Sequence, residues 1–417
     1  MRLRPEPLCL LTLLSACGGE ASEGSVEPPP ATEEPSVSDD SGAGPGLGLW
    51  FVDATDESGL GSFRQVCGDP NKPFIVETIG GGVALCDVDR DGDLDAYLTN
   101  GSFFGADTDS APADALYLND GTGRFHDATV AAGLGDRSWT TGVRVVDYDA
   151  DGWPDLYLTN YGPNVLMRNR GDGTFEDVTE RAGVGDPRWS TGACFLDFDR
   201  DGDLDLYVAN YVDFDEERML RDRPTVSYKG VSVMKGPRGL PEAPDTFYIN
   251  EGDGTFRDAS AEVGIRGKPF FGFQCIAFDV NHDDWVDVYV ANDSVENLLW
   301  KNDGGRRFEN AAFLSGLAVS MSGKPQAGMG VGIGDYDGDQ IVDLYVTNFA
   351  DDYFTLYRGT KRGGFVDVTH RLRLADVTKP YLGWGCGFED FDADGDLEIF
   401  VADGHVYPQV DELDVGS

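Results

Sequence analysis

Asp87-Val88-Asp89-Arg90-Asp91-Gly92-Asp93-Leu94-Asp95 is the stretch whose reading decides the fold. Its oxygen-bearing side chains stand at positions 1, 3, 5 and 9: Asp87, Asp89, Asp91 and Asp95. Carboxylates at that spacing converge only if the backbone curls round one centre, and there they repel unless a cation sits among them. Ca²⁺ takes six to eight oxygens at about 2.3–2.6 Å and tolerates irregular cages that Mg²⁺ does not. Five further copies follow. The second offers Asp147, Asp149, Asp151 and Asp155, and the third Asp197, Asp199, Asp201 and Asp205. The fourth offers Asp279, Asn281, Asp283 and Asp287, and the fifth Asp335, Asp337, Asp339 and Asp343. The sixth offers Asp390, Asp392, Asp394 and Glu398. The pattern predicts up to six Ca²⁺ ions, one per loop. An EF-hand would need Glu at position 12 and flanking helices; the first loop has Leu98 there. Asn281, with Asp284 in place of the position-6 Gly, and Gln340 at that place in the fifth loop predict weaker binding.

Strand signals surround every loop. Ala96-Tyr97-Leu98-Thr99-Asn100 follows the first, and like runs follow the others, ending at Asn160, Asn210, Asn292, Asn348 and Asp403. These β-branched and aromatic runs end in turn formers. A third element recurs five times, as in Leu166-Met167-Arg168-Asn169, and a Gly-rich hairpin leads from it to Phe125, Phe175, Phe256, Phe308 or Phe365. Four short antiparallel strands repeated along the chain predict an all-β fold, a β-propeller of four-stranded blades with one Ca²⁺ loop per blade. Gly82, Gly142, Gly192, Gly330 and Gly385, with Gln274 in the fourth unit, suit first strands crowded at the axis. Ile79, Trp139, Trp189, Phe271, Ala327 and Leu382 suit packing between neighbouring blades. The last unit has two clear strands. Trp50-Phe51-Val52-Asp53-Ala54-Thr55 is an unpartnered fourth-strand motif that could close the circle, with 404–412 as the missing third strand. That gives six blades, or seven if the natural chain continues.

The paired Phe-x-Asp-x-Thr and Asp-x-Asp-x-Asp-Gly-x-x-Asp pattern resembles FG-GAP/VCBS repeats and is similar to the calcium-bearing repeats of integrin α heads. It covers nearly all of 50–405. Gly236-Pro237-Arg238-Gly239-Leu240-Pro241 and Ala402-Asp403-Gly404-His405-Val406 resemble the cartilage acidic protein family, whose members continue into further repeats and an ASPIC/UnbV module.

The N-terminus reads as an address. Arg2 and Arg4 precede the apolar run Leu8–Leu14, too short to span a membrane, and Leu14-Ser15-Ala16-Cys17 closes it. It looks like a bacterial lipoprotein signal over 1–17, which implies Cys17 as the lipidated residue, a membrane anchor and a place in the cell envelope, at the outer membrane. Residues 18–48, rich in Pro, Ser, Gly and Glu, read as an extended tether, and 49–417 as the propeller.

Net charge is −43, and the six loops hold 27 of the 75 acidic residues. Six Ca²⁺ would still leave the chain at about −31, so nucleic acid is not an expected partner. Cys86, Cys194, Cys275 and Cys386 precede loops as small strand residues, while Cys67 and Cys86 could pair in an oxidising compartment. His126, His282, His370 and His405 lack zinc spacing, and the acid pairs are explained by metal ligation rather than catalysis. The insertion 211–245, with Arg218, Arg221, Arg223, Lys229, Lys235 and Arg238, is the candidate recognition loop for a protein or carbohydrate at the cell surface. A calcium-bound, non-catalytic interaction or adhesion module is expected; a carbohydrate-acting or other hydrolytic propeller is the rival.

Overall fold

The computed structural model describes residues 51–104, 111–267 and 269–412. Cys17 and the tether lie outside the described residues.

Each acidic loop ends where a strand begins. Position 9 opens the second strand of all six units: Asp95–Leu98, Asp155–Tyr161, Asp205–Asn210, Asp287–Asn292, Asp343–Asn348 and Glu398–Asp403. The loop reverses the chain, so each pairs antiparallel with the strand before it. Those first strands are Val83–Cys86, Trp139–Val146, Ser190–Leu196, Gly272–Phe278, Gly328–Gly334 and Gly383–Glu389. In every unit the residue just before the loop faces position 9, as in Cys86 opposite Asp95 and Glu389 opposite Glu398. Third strands end at Asn119, Asn169, Asn250, Asn302 and Gly359, and a Phe opens each three-residue fourth strand, as the pattern predicts. Among the described residues this makes five four-stranded antiparallel sheets and a sixth of two strands, in a propeller-like succession.

First strands of consecutive sheets lie side by side, and the glycine column explains how closely. A Cβ on Gly330 would stand 1.9 Å from the Trp384 carbonyl oxygen, and one on Gly192 2.5 Å from that of Phe273. Where the column carries Gln274 instead, its Oε1 accepts the Val331 N–H of the next sheet at 2.8 Å.

The aromatic column joins neighbouring sheets, with Trp139 Nε1 donating to the Ile79 carbonyl at 3.2 Å and Trp189 meeting Tyr161 edge to face at 5.8 Å. Ile79, Trp139, Trp189, Phe271 and Leu382 also meet in one apolar cluster that draws on every sheet. They stand at the starts of their first strands, where all six sheets converge at one end. Ala327 is buried beside the cavity at that end. The insertion covers the same place. Its helix Glu216–Asp222 and its hairpin, Thr225–Tyr228 with Val231–Met234, send Met219, Val233 and Met234 into the cluster. Trimming this segment would therefore remove core, not only a loop.

Two strand expectations at the chain ends are corrected. Phe51–Ala54 forms no strand, and Trp50 lies outside the described residues. Phe51 instead meets Phe391 edge to face at 5.4 Å. Pro408–Glu412 is a 3-10 helix and supplies no third strand, since Pro408 cannot donate to a ladder. Cys67 and Cys86 remain separate thiols in different apolar clusters, and the Cys67 Sγ donates to the Glu77 carbonyl at 3.1 Å.

The close approach of first strands is testable. Gly330→Ala should cost about 1–3 kcal/mol of stability in a urea melt, through overpacking. Gly236→Ala, whose Cβ would meet only the Tyr407 hydroxyl at 3.9 Å, should change it by less than about 0.5 kcal/mol.

Candidate metal centre

Each loop is wound around its own carboxylates. Position 1 accepts two backbone N–H groups: Asp87 takes those of Asp91 and Gly92, both at 3.0 Å. Asp147, Asp279, Asp335 and Asp390 repeat the arrangement. Position 5 accepts the N–H of position 7, as Asp91 does from Asp93 at 3.1 Å. Position 6 has a left-handed backbone throughout, with φ +101° at Gly92 but +69° at Asp284 and +66° at Gln340. A side chain there costs roughly 1–2 kcal/mol, which falls on the fourth and fifth loops.

Position 9 is the anchor. One Asp95 oxygen accepts the Val88 N–H inside the loop at 3.0 Å, and the other accepts the Asn119 N–H of the third strand at 2.8 Å. Asp155, Asp205, Asp287 and Asp343 do the same. Burial pushes Asp95 and Asp343 up to about 6, and Asp155, Asp205 and Asp287 up to about 7, against the pull of these N–H groups. Glu398, with no third strand beside it among the described residues, accepts the Phe391 N–H at 3.0 Å.

The expected ligands gather in five loops. Carboxylate oxygens lie within 4.8 Å of one another in the sets Asp87/Asp89/Asp95, Asp147/Asp149/Asp155 and Asp197/Asp199/Asp201. The same holds for Asp335/Asp337/Asp339 and Asp390/Asp392/Glu398. Asp91, Asp151, Asp205, Asp343 and Asp394 stand outside these triples. Among the described residues the fourth loop gathers no such triple; there the Asn281 amide donates to Asp283 at 2.7 Å. The residues fit a hard dication on a separate ground. Asp149 Oδ1, Asp197 Oδ1 and Asn281 Oδ1 are buried acceptors with no hydrogen-bond partner. Each is a predicted ligand, and an unpaired buried acceptor is costly unless something fills it.

Two columns that sequence reasoning treated only as hairpin residues belong to the site. In the second, third and fourth sheets the Asn ending the third strand reaches back to the preceding sheet's loop. Asn169 donates to the Val88 carbonyl at 2.9 Å, Asn250 to that of Tyr148 at 3.0 Å and Asn302 to that of Phe198 at 2.8 Å. Gly359 has no such side chain, so the fourth loop lacks the tie. One residue earlier stand Leu118, Arg168, Ile249, Lys301 and Arg358. Arg168 pairs with Asp149 and Asp151, both at 2.6 Å; Arg358 pairs with Asp337 and Asp339; Lys301 reaches Asp283 at 3.6 Å. The second, fourth and fifth loops thus carry an internal cation, and among the described residues the first and third have none from the third strand. Loops also touch laterally, with Arg90 over Trp153 at 4.9 Å and Arg200 over Trp285 at 4.2 Å.

The FG-GAP-like repeat family matches residues 87–158, 147–208, 279–346 and 335–401, more than half of the chain, with all six loops inside. The chain belongs to the FG-GAP-like repeat family. Human cartilage acidic protein 1 is 24% identical over 360 residues, which cover 79% of this chain and 48% of the relative. The chain spans about half the length of the curated relatives it matches. Among solved structures, an Agrocybe aegerita lectin that recognises non-reducing terminal N-acetylglucosamine is 14% identical, with a TM-score of 0.45, covering 78% of this chain and 75% of its own. Rhamnogalacturonan lyase YesW is 14% identical, with a TM-score of 0.39, covering 76% of this chain and 54% of its own.

Two outcomes follow from the FG-GAP loop geometry. Without metal, the raised position-9 carboxylates favour the folded state when protonated, so stability is lost as pH rises from about 4 through about 7. Bound Ca²⁺ requires the deprotonated form. The gap in melting temperature between calcium and EGTA should therefore widen from pH 5 to pH 8, read by scanning fluorimetry. In the second, Arg168→Leu removes a fixed positive charge beside the second loop. It should lower the melt in EGTA more than in calcium and tighten calcium binding there roughly tenfold by calorimetry; equal losses in both buffers would contradict the competition.

Proposed function

We propose that this FG-GAP chain is a calcium-clamped six-bladed β-propeller, anchored at a bacterial cell envelope through Cys17, that serves as a non-catalytic interaction or adhesion module. One observation carries the calcium reading: buried, unpartnered oxygens at Asp149, Asp197 and Asn281 stand at ligand positions in loops that share one register. Closure into a ring is supported by contacts between the chain ends. Phe51 packs on Phe391, and Gln409 Nε2 donates to the Asn71 carbonyl at 3.1 Å.

Calcium's role here is structural. The loop pins the first hairpin of each blade, and through the Asn column it also pins the next blade. Extracellular-type sites bind at about 10⁻⁴–10⁻³ M. Held at ten times Kd, one site contributes about 1.4 kcal/mol. Six approach about 8 kcal/mol, comparable with the whole stability of a typical domain. A rigid disc of this kind presents its insertion and end loops to a protein or carbohydrate partner at the cell surface.

Chelation with EGTA should lower the melting temperature by well over about 10 °C, and partners captured from envelope extracts in calcium should be released with it. An unchanged melt would remove the calcium reading; capture that ignores calcium would remove the link between clamp and binding.

A further inference from the structure

A cavity of about 360 Å³ opens beside the central cluster, beneath the insertion, and nothing in the loop architecture requires it. Its size falls in the range of small-molecule sites, about 300–1,000 Å³. Five aromatic residues line it, brought together from four successive units: Tyr211, Phe273, Phe349, Trp384 and Tyr407. Ring centroids stand 5.3 Å apart for Tyr211 and Phe273, 5.9 Å for Phe273 and Trp384, and 5.8 Å for Phe349 and Tyr407. Two carboxylates share this wall, Asp293 and Asp352.

Those carboxylates are unusual in their company. Asp293 accepts the Tyr211 hydroxyl at 2.5 Å and the Ser294 hydroxyl at 2.8 Å; Asp352 accepts the Ala327 N–H at 3.3 Å. These partners are neutral. Among the described residues neither carboxylate has a Lys or Arg within 4.0 Å, and nearby Lys229 pairs instead with Asp351, at 3.1 Å. Burial raises the proton affinity of both carboxylates and Arg238 opposes it only from beyond 4.0 Å, so a cation seated among the rings would be the nearest positive charge to both. A methylated ammonium has no N–H to satisfy and binds through charge and ring faces. At the rim the insertion places two cations, exposed Arg238 and half-buried Lys235. They suit an anionic group on the same ligand.

We propose that this cavity binds a small zwitterion, with its quaternary ammonium among the aromatic rings and the two aspartates and its carboxylate or phosphate at Arg238 and Lys235. The site is separate from the acidic loops. The sequence carried a signal for it. The residue after each second-strand Asn or Asp is Gly101, Tyr161, Tyr211, Phe349 or Gly404 in five units, and Asp293 in the fourth.

Calorimetry on the purified full chain in calcium tests the proposal, with glycine betaine and phosphocholine as probes. The comparator is a carbon isostere with a tert-butyl group in place of the trimethylammonium. The zwitterions should bind about tenfold more tightly than the isostere. Asp293→Asn and Asp352→Asn should each weaken them several-fold while the calcium-dependent melt stays unchanged. Arg238→Gln should weaken the zwitterions but not choline, which lacks the anion. Isostere binding equal to the zwitterions', no heat at millimolar probe, or binding of N-acetylglucosamine in their place would overturn it. The isostere comparison needs only the natural chain, so a variant that fails to fold leaves the test intact.

Discussion

The buried carboxylate at position 9 of each loop is the interaction on which the rest depends. In five units one side chain holds three pieces of chain: the loop through the position-2 N–H, the second strand through its own backbone, and the third strand through the N–H at its end. Remove it and the register between second and third strands loses its lock. Keeping such a group ionised away from water is unfavourable, and burial raises its proton affinity accordingly. A dication in the loop reverses that balance, because its charge favours the same ionised form that the N–H groups select. The carboxylates that hold the fold together are thus the ones that could hold a metal.

The six loops solve the charge problem unequally. The first and third have apolar neighbours, Leu118 and Ile249, and nothing among the described residues neutralises their ligands from the third strand. The second and fifth hold a guanidinium against positions 3 and 5. The fourth combines every departure: Asn281 as a neutral ligand, Asp284 in a left-handed turn, Lys301 nearby, and no Asn to tie it to the next sheet.

Much of this was legible in the sequence because the signals are local and repeated. The loop spacing, the strand runs and the Phe opening each fourth strand fall where the pattern puts them. The glycine column was read correctly as crowding because a bare backbone has few other uses at one fixed place. Three features escaped, each for a non-local reason. That Trp139 and Trp189 join one cluster common to all the sheets depends on how six strand ends converge. Asn169 and Arg168 look like hairpin residues until a loop is folded against them. The chain ends carry no partner in sequence, so the strand-like runs at Phe51 and after Gly404 gave the right region and the wrong conformation.

An acidic loop closes every first hairpin, so the succession of sheets and its shared apolar centre rest on those loops. Counting metal on the folded, purified chain tests that most directly, by equilibrium dialysis against saturating calcium followed by elemental analysis. Occupancy should approach six ions per chain, with the last to fill lost on converting Asp283 to Asn in the fourth loop. A folded chain that retains no calcium at saturation would show that these carboxylates are held by backbone N–H groups alone.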